Sequence, residues 1–500
     1  MTEQVPIERP QDDSGFASRV RSALAWRWGS QVAAQLVTWC ATIAVFRILD
    51  PSDYGLFAMT QAVLAALNFL NGYSFATSLI QADHIDRRRI GQVFGMLILA
   101  NVGIAVAQVL LAPSLADYYG QPLVADMLRI QAIAYLATPF VALPSALLAR
   151  RIEFRSQGLV NLLCAFVGAG IALGLALMGW GVWALVYAPI GMAVVRAMGL
   201  TIAARLLVWP VFDFRGARDI VTFGGALTIC QLLWIVQSQS DIFIAGRTFS
   251  THDLGIYAEA LFLALVITGR FLPPVNDVTF PAYSELHKGG RPLGPFFIRT
   301  FRTVALVTAP LYFGLALTAN PAIVTLGGEK WAEMGPILGS LAVVMPFFAL
   351  QIVCSPATNA TGKPRIYLLS SAAGAVIFPA CFVIGMAYGP QGLAHAWWVA
   401  APALLIVTLA LTLPVIRVSL RELLEELAPV AVASGLMSLV VWLLGLAVAD
   451  LADPLQLLIL IPAGAVTYSL TLLLAWPRLL QESWAMLRNR NEPVDTMLQA

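Results

Sequence analysis

Apolar residues run through this chain in blocks of twenty or more, broken by short polar gaps and without alternation every second residue. Fourteen blocks can be bounded at about 24 to 48, 55 to 80, 90 to 112, 123 to 149, 157 to 178, 182 to 204, 219 to 246, 253 to 286, 297 to 319, 333 to 360, 366 to 387, 391 to 414, 424 to 448 and 455 to 476. Each supplies the roughly 20 apolar residues that cross a hydrocarbon core as a helix. Amides in hydrocarbon must pair within their own segment, and blocks this long do not suit barrel strands. The pattern predicts an all-α polytopic membrane protein of 14 transmembrane helices, with no connection long enough for a soluble domain. Pro139, Pro144, Pro189, Pro273, Pro274, Pro281, Pro346 and Pro356 fall well inside blocks and predict bends, because proline deletes a helical hydrogen bond.

Composition agrees, with 59% hydrophobic and 12% charged residues and a mean hydropathy of +0.79, against roughly 25% charged in a soluble domain. Charge then adds direction. All but six of the 30 Lys and Arg lie in or beside alternate gaps. Arg47, Arg247 and Lys330 occupy the opposite gaps, and Arg129, Arg196 and Arg270 lie inside apolar stretches. The positive-inside rule therefore places both termini in the cytoplasm. No basic stripe suggests nucleic acid. The polar first 23 residues and the lack of a cleavage pattern predict an uncleaved first helix rather than a signal peptide.

Residues 47–58 and 247–258 share Arg, Asp, Gly and Ala at a constant offset of 200, with Phe57 matched by Tyr257. A second echo pairs Gly179-Trp180-Gly181-Val182-Trp183-Ala184 with Gly389-Pro390-Gln391-Gly392-Leu393-Ala394. Six helices plus six, with two appended, make a parallel repeat whose lobes flank a cleft. The expected divisions are a cytoplasmic tail over 1–23, an N-lobe over 24–205, a C-lobe over 206–416, appended helices over 417–477 and a cytoplasmic tail over 478–500. Asp53 and Asp253 are expected to cap the second and eighth helices, with Arg47 and Arg247 at the carbonyl ends of the preceding ones.

Polar residues inside the blocks are the candidate chemistry. Arg27, Gln31, Gln35, Thr38 and Thr42 follow steps of four, four, three and four, so they share one face of the first helix. Gln231, Ser238 and Asp241 repeat this on the seventh, and Gln61, Asn68 and Asn71 give the second a polar side. Amide bonding between packed helices is one explanation; a polar cavity is the other. A charge at mid-bilayer costs roughly 2.5–3.5 kcal/mol on insertion scales, which singles out Arg270, just before Pro273-Pro274, with Asp241, Glu259 and Asp277. Asp126 and Arg129, spaced i to i+3, read as an interfacial ion pair. Five cysteines, all within predicted spans, lack disulfide or zinc spacing and read as buried small hydrophobes. No catalytic or metal-binding signature appears among the four scattered histidines, and no phosphate loop or nucleophile elbow is present.

Phe46-Arg47-Ile48-Leu49 with Asp53-Tyr54-Gly55-Leu56-Phe57-Ala58-Met59, Leu147-Leu148-Ala149-Arg150-Arg151, Gly179-Trp180-Gly181-Val182-Trp183-Ala184-Leu185, Ser240-Asp241 with Ile244-Ala245-Gly246-Arg247, Phe280-Pro281-Ala282-Tyr283-Ser284 and Gly328-Glu329-Lys330-Trp331-Ala332 carry a family likeness. The chain resembles the Wzx-type polysaccharide-transport branch of the multidrug/oligosaccharidyl-lipid/polysaccharide (MOP) flippase superfamily, similar to colanic-acid and xanthan repeat-unit exporters. Thr248-Phe249-Ser250 departs from relatives that keep a glycine after the basic residue. The resemblance implies a two-lobed, MATE- or MurJ-like carrier in the bacterial inner membrane that flips a polyprenyl-diphosphate-linked oligosaccharide and works beside the polymerase and export machinery of its pathway. Arg270 and Arg27 would meet phosphate, and Gln31, Gln35, Gln61, Asn68 and Gln231 the sugar. Asp241 or Glu259 would carry a coupling proton or sodium ion; no other cofactor is expected. A multidrug-type antiporter, or a membrane glycan polymerase or ligase, is the alternative.

Overall fold

The computed structural model describes residues 13–68, 70–72, 76, 86–150, 154–205, 208–213, 218–477 and 479, except the side chains of 13–28, 154, 218–231 and 364. Its regular elements among those residues are all helical. They are α1 (Asp13–Ile48), α2 (Pro51–Asn68), α3 (Arg87–Tyr119), α4 (Pro122–Gln131), α5 (Ile133–Ala137), α6 (Pro139–Arg150), α7 (Phe154–Leu177) and α8 (Trp183–Ala203), then α9 (Arg218–Thr248), α10 (Thr251–Lys288), α11 (Gly294–Gly327), α12 (Met334–Ala360), α13 (Pro364–Gly385), α14 (Gly389–Ile416), α15 (Leu420–Ala447) and α16 (Asp453–Ala475). Eleven stretches among the described residues are long and apolar enough to cross a membrane. One of them, Arg365–Ile416, takes in two of the expected blocks, while blocks two and seven coincide with α2 and α9, outside the eleven. Leu110, Leu177 and Leu474 are 72%, 75% and 82% exposed, as suits an outer surface wetted by acyl chains. The chain is an all-α, multi-pass membrane protein. It divides into two compact units, Met1–Ile235 and Val236–Ala500.

In the first unit the two repeated motifs meet at one carboxylate. α2 starts on Pro51, where a missing N–H leaves no bond unmade. Asp53 turns back to accept from Asp50 N–H at 3.2 Å, and its other oxygen accepts from Val182 N–H at 2.9 Å, at the start of α8. Gly181 holds a left-handed φ of +52°, and a Cβ there would stand 2.8 Å from Asp53 Oδ1. Asp53 is thus a clamp across two turns rather than an N-cap. Asp253 does not cap α10 either: Ser250 Oγ accepts from Asp253 N–H at 3.1 Å and donates to Asp253 Oδ2 at 2.7 Å. A cap must reach the third amide of the helix, and the repeat places its aspartate on that amide. Arg47 and Arg247 do occupy the last turns of α1 and α9.

Proline shapes both units, and neighbouring hydroxyls take up some of the carbonyls it frees. The fourth block breaks into α4, α5 and α6. Pro144 leaves the Phe140 carbonyl without its helical amide, and Thr201 Oγ1 donates to it at 3.2 Å. In the second unit Pro310 frees the Leu306 carbonyl, which accepts from the Tyr468 hydroxyl of α16 at 2.9 Å. The Tyr312 hydroxyl enters the ladder of α10 itself. It donates to Ala264 C=O at 2.7 Å, accepts from Thr268 N–H at 3.0 Å and bonds the Thr268 hydroxyl. Ala264 and Thr268 are i and i+4 partners, so the side chain stands where a helical bond would close, about one turn before Pro273-Pro274.

The largest described core, in the second unit, packs Leu272, Tyr283, Phe297, Phe301, Val304 and Val353. Cys164 and Cys354 are buried as expected, but Cys40 is exposed beside Leu36, Trp39 and Ile43, so it is not an interior hydrophobe. Cys230 lies outside the described side chains.

Candidate functional site

Hydrogen bonding sorts the intramembrane amides into two kinds. Asn101, Gln108 and Gln131 are buried, and their amide nitrogens are committed: Asn101 to the carbonyls of Asn71 and Leu97 at 2.9 and 2.8 Å, Gln108 to Leu128 C=O at 2.7 Å, Gln131 to Thr60 Oγ1 at 3.2 Å. These fix α2, α3 and α4 together. Gln31 and Asn68 are exposed, Gln35 and Gln61 half-buried, and none of the four side chains makes a hydrogen bond among the described residues. An amide with free donors and acceptors is costly against acyl chains, so these faces call for water or a polar ligand. Arg27 and Gln231 have side chains outside the described residues.

α10 carries the charges. Taking about 100° per residue, Glu259, Arg270 and Asp277 fall within roughly 20° of one line along the helix. The buried residues Tyr257, Leu261, Ala264, Thr268 and Leu272 cover the opposite side. Arg270 and Asp277 are exposed, Glu259 is half-buried, and none of the three has a hydrogen bond or ion pair among the described residues. A Cβ on the adjacent Gly269 would meet nothing within 4 Å.

Asp241 differs. It is 1% exposed, and its Oδ2 accepts from the Tyr257 hydroxyl at 2.8 Å, while its Oδ1 accepts from Ile242 N–H at 2.8 Å. Tyr257 in turn accepts from Trp397 Nε1–H at 2.9 Å. The relay joins α9, α10 and α14 inside a cage of Phe348, Phe378 and Phe382 around Trp397. Sequence reasoning found Asp241 but not its partners; Tyr257 stood out only as an aromatic matched in the repeat. The Asp126–Arg129 pair is present at 2.9 Å. A hollow of about 330 Å³ walled by Val102, Val106, Val109 and Leu136 is apolar but for Arg129 at its wall, and holds none of the side chains expected to meet cargo or coupling ion.

The fold is one shared with solved membrane transport proteins. The chain is similar to the lipid II flippase MurJ in its inward closed conformation, with a TM-score of 0.71 at 14% identity over 90% of this chain and 100% of that one. It is also similar to a multidrug resistance MATE family transporter of the MOP superfamily in its inward-facing conformation, with a TM-score of 0.58 at 12% identity over 76% and 94%. At such identities the likeness is one of fold alone.

Sequence narrows this to a family. The family described as polysaccharide biosynthesis protein matches residues 44–336, and the chain belongs to it. Among its relatives is the succinoglycan biosynthesis transport protein ExoT of Rhizobium meliloti, 28% identical over 298 residues, 59% of this chain and 60% of that protein. The chain thus spans about three fifths of the length of the curated relatives it matches.

Proposed function

We propose that the protein is a flippase that carries a polyprenyl-diphosphate-linked oligosaccharide across the bacterial inner membrane by alternating access, for exopolysaccharide, capsule or O-antigen synthesis. In this reading the chain crosses fourteen times with both termini in the cytoplasm, and hands its cargo to a polymerase and export machinery. The observation that carries it is Arg270: a guanidinium unpaired among the described residues, exposed on a membrane helix beside open space. A diphosphate cannot enter hydrocarbon unaided, and a guanidinium meets it with paired donors. The uncommitted amides of Gln31, Gln35, Gln61 and Asn68 suit the sugar, which offers both donors and acceptors.

Coupling to a proton or sodium gradient falls to Asp241 or Glu259. Asp241 already accepts two hydrogen bonds, so Glu259 is the freer group. Flipping that persists unchanged after both gradients are collapsed would remove this part of the proposal.

Replacing Arg270 with alanine should abolish export while the protein remains in the membrane, with lipid-linked repeat units accumulating on the cytoplasmic side. Unchanged export would defeat the assignment. The MATE likeness favours a second reading, a small-molecule antiporter. Vesicles with purified protein separate the two, because an antiporter moves organic cations and leaves the glycolipid in its leaflet. A polymerase or ligase would change the glycolipid's mass, which a flippase leaves intact.

A further inference from the structure

Resting on the flippase reading, we infer that the stretch Gly269–Asp277 of α10 is a two-part subsite in which Arg270 holds the diphosphate and Asp277 reads the first sugar by accepting its hydroxyl protons. Asp277 lies two turns beyond Arg270, on the same face, which is about 10.5 Å along the axis. That is too far for the i to i+4 pairing that would make it a structural partner of the arginine, and neither side chain is bonded to anything among the described residues. The backbone between them adds acceptors. Pro273 and Pro274 have no N–H, so the carbonyls of Gly269 and Arg270 lose their helical donors. Along this stretch the order is therefore cation, two carbonyls without their i+4 donors and an exposed carboxylate.

A glycosyl diphosphate offers the complementary order. Its phosphates only accept, and the ring that follows presents several O–H donors. An ionised carboxylate accepts and never donates, so Asp277 matches hydroxyls and not phosphate. Glu259, three turns away on the other side of Arg270, is half-buried and has no proline-freed carbonyl between it and the arginine, so the sugar end is assigned to Asp277.

Binding of undecaprenyl diphosphoglucose, undecaprenyl diphosphogalactose and undecaprenyl diphosphate to the purified full chain in detergent tests this. The natural protein should bind at least one sugar-bearing lipid about tenfold more tightly than the bare diphosphate. Asp277→Ala should cut that preference below twofold with affinity for the bare diphosphate retained, Asp277→Asn should restore part of it, and Arg270→Gln should weaken all three. A preference intact in Asp277→Ala, or no preference in the natural protein, overturns the subsite while the flippase reading stands. Failure to bind any of the three lipids overturns both. Matched melting temperatures for the natural protein and Asp277→Ala exclude misfolding as the cause of a loss.

Discussion

The Tyr257 hydroxyl is fully buried and fixed on both sides: it gives its proton to Asp241 and takes one from Trp397. Replacing it with phenylalanine strands a carboxylate oxygen and an indole N–H together, and each buried polar group left unpaired costs about 1–3 kcal/mol. Tyr257→Phe should therefore lower the unfolding midpoint in detergent, with Trp397 fluorescence reporting a changed environment; an unchanged midpoint would mean that water replaces the hydroxyl. Little of this was legible in the chain. The depth of Asp241 follows from its place in an apolar block, but Trp397 stands 140 residues from Tyr257, and no local pattern joins them. The four uncommitted amides were the easier reading. A helical period exposes a polar face without any tertiary knowledge, whereas Asn101, Gln108 and Gln131 sit singly among apolar neighbours and were passed over.

At the scale of elements, proline was readable and its consequences only partly so. Pro139 and Pro144 predict a bent fourth span, and the structure breaks it into three helices. Pro273, Pro274 and Pro281 predict a bent α10, yet the insertion of Tyr312 comes from another helix and could not be foreseen. Together these make 264–274 the softest part of α10: one ladder bond is replaced by a hydroxyl and two more are absent. Tyr312→Phe should let the Ala264 carbonyl pair with Thr268 N–H and stiffen the helix. Electron–electron distances between spin labels at Thr251 and Lys288 should then narrow to one population, and the proposed flipping should slow while the melting temperature stays within a few degrees. An unaltered distance distribution would show that Tyr312 merely packs α10 against α11.

For the whole molecule, the repeat offset of 200 and the sidedness of charge were both visible, and each conceals something that only packing decides. Arg302 counts among the cations of the basic, alternate gaps, but its side chain is only 10% exposed and bonds Glu426 of α15 at 2.5 Å. The two helices beyond the repeat are accordingly part of the second unit's body. Tyr468 of α16 satisfies the Leu306 carbonyl, and Met437, Val441, Leu460 and Leu472 pack on Leu306, Phe313 and Leu317 of α11. Ending the chain after Ile416 would take the Glu426 carboxylate from a buried cation, bare a carbonyl in hydrocarbon and uncover that apolar seam at once, so the shortened protein should fail to accumulate. Glu426→Ala isolates the first effect. Breaking a fully buried pair costs 3–5 kcal/mol, and with Glu426 43% exposed the loss should be nearer about 2 kcal/mol. Replacing both partners, Arg302→Met with Glu426→Leu, should recover most of the melting temperature, because no charge is then left to desolvate. If the double variant is no more stable than Glu426→Ala, the arginine is held by groups other than this carboxylate.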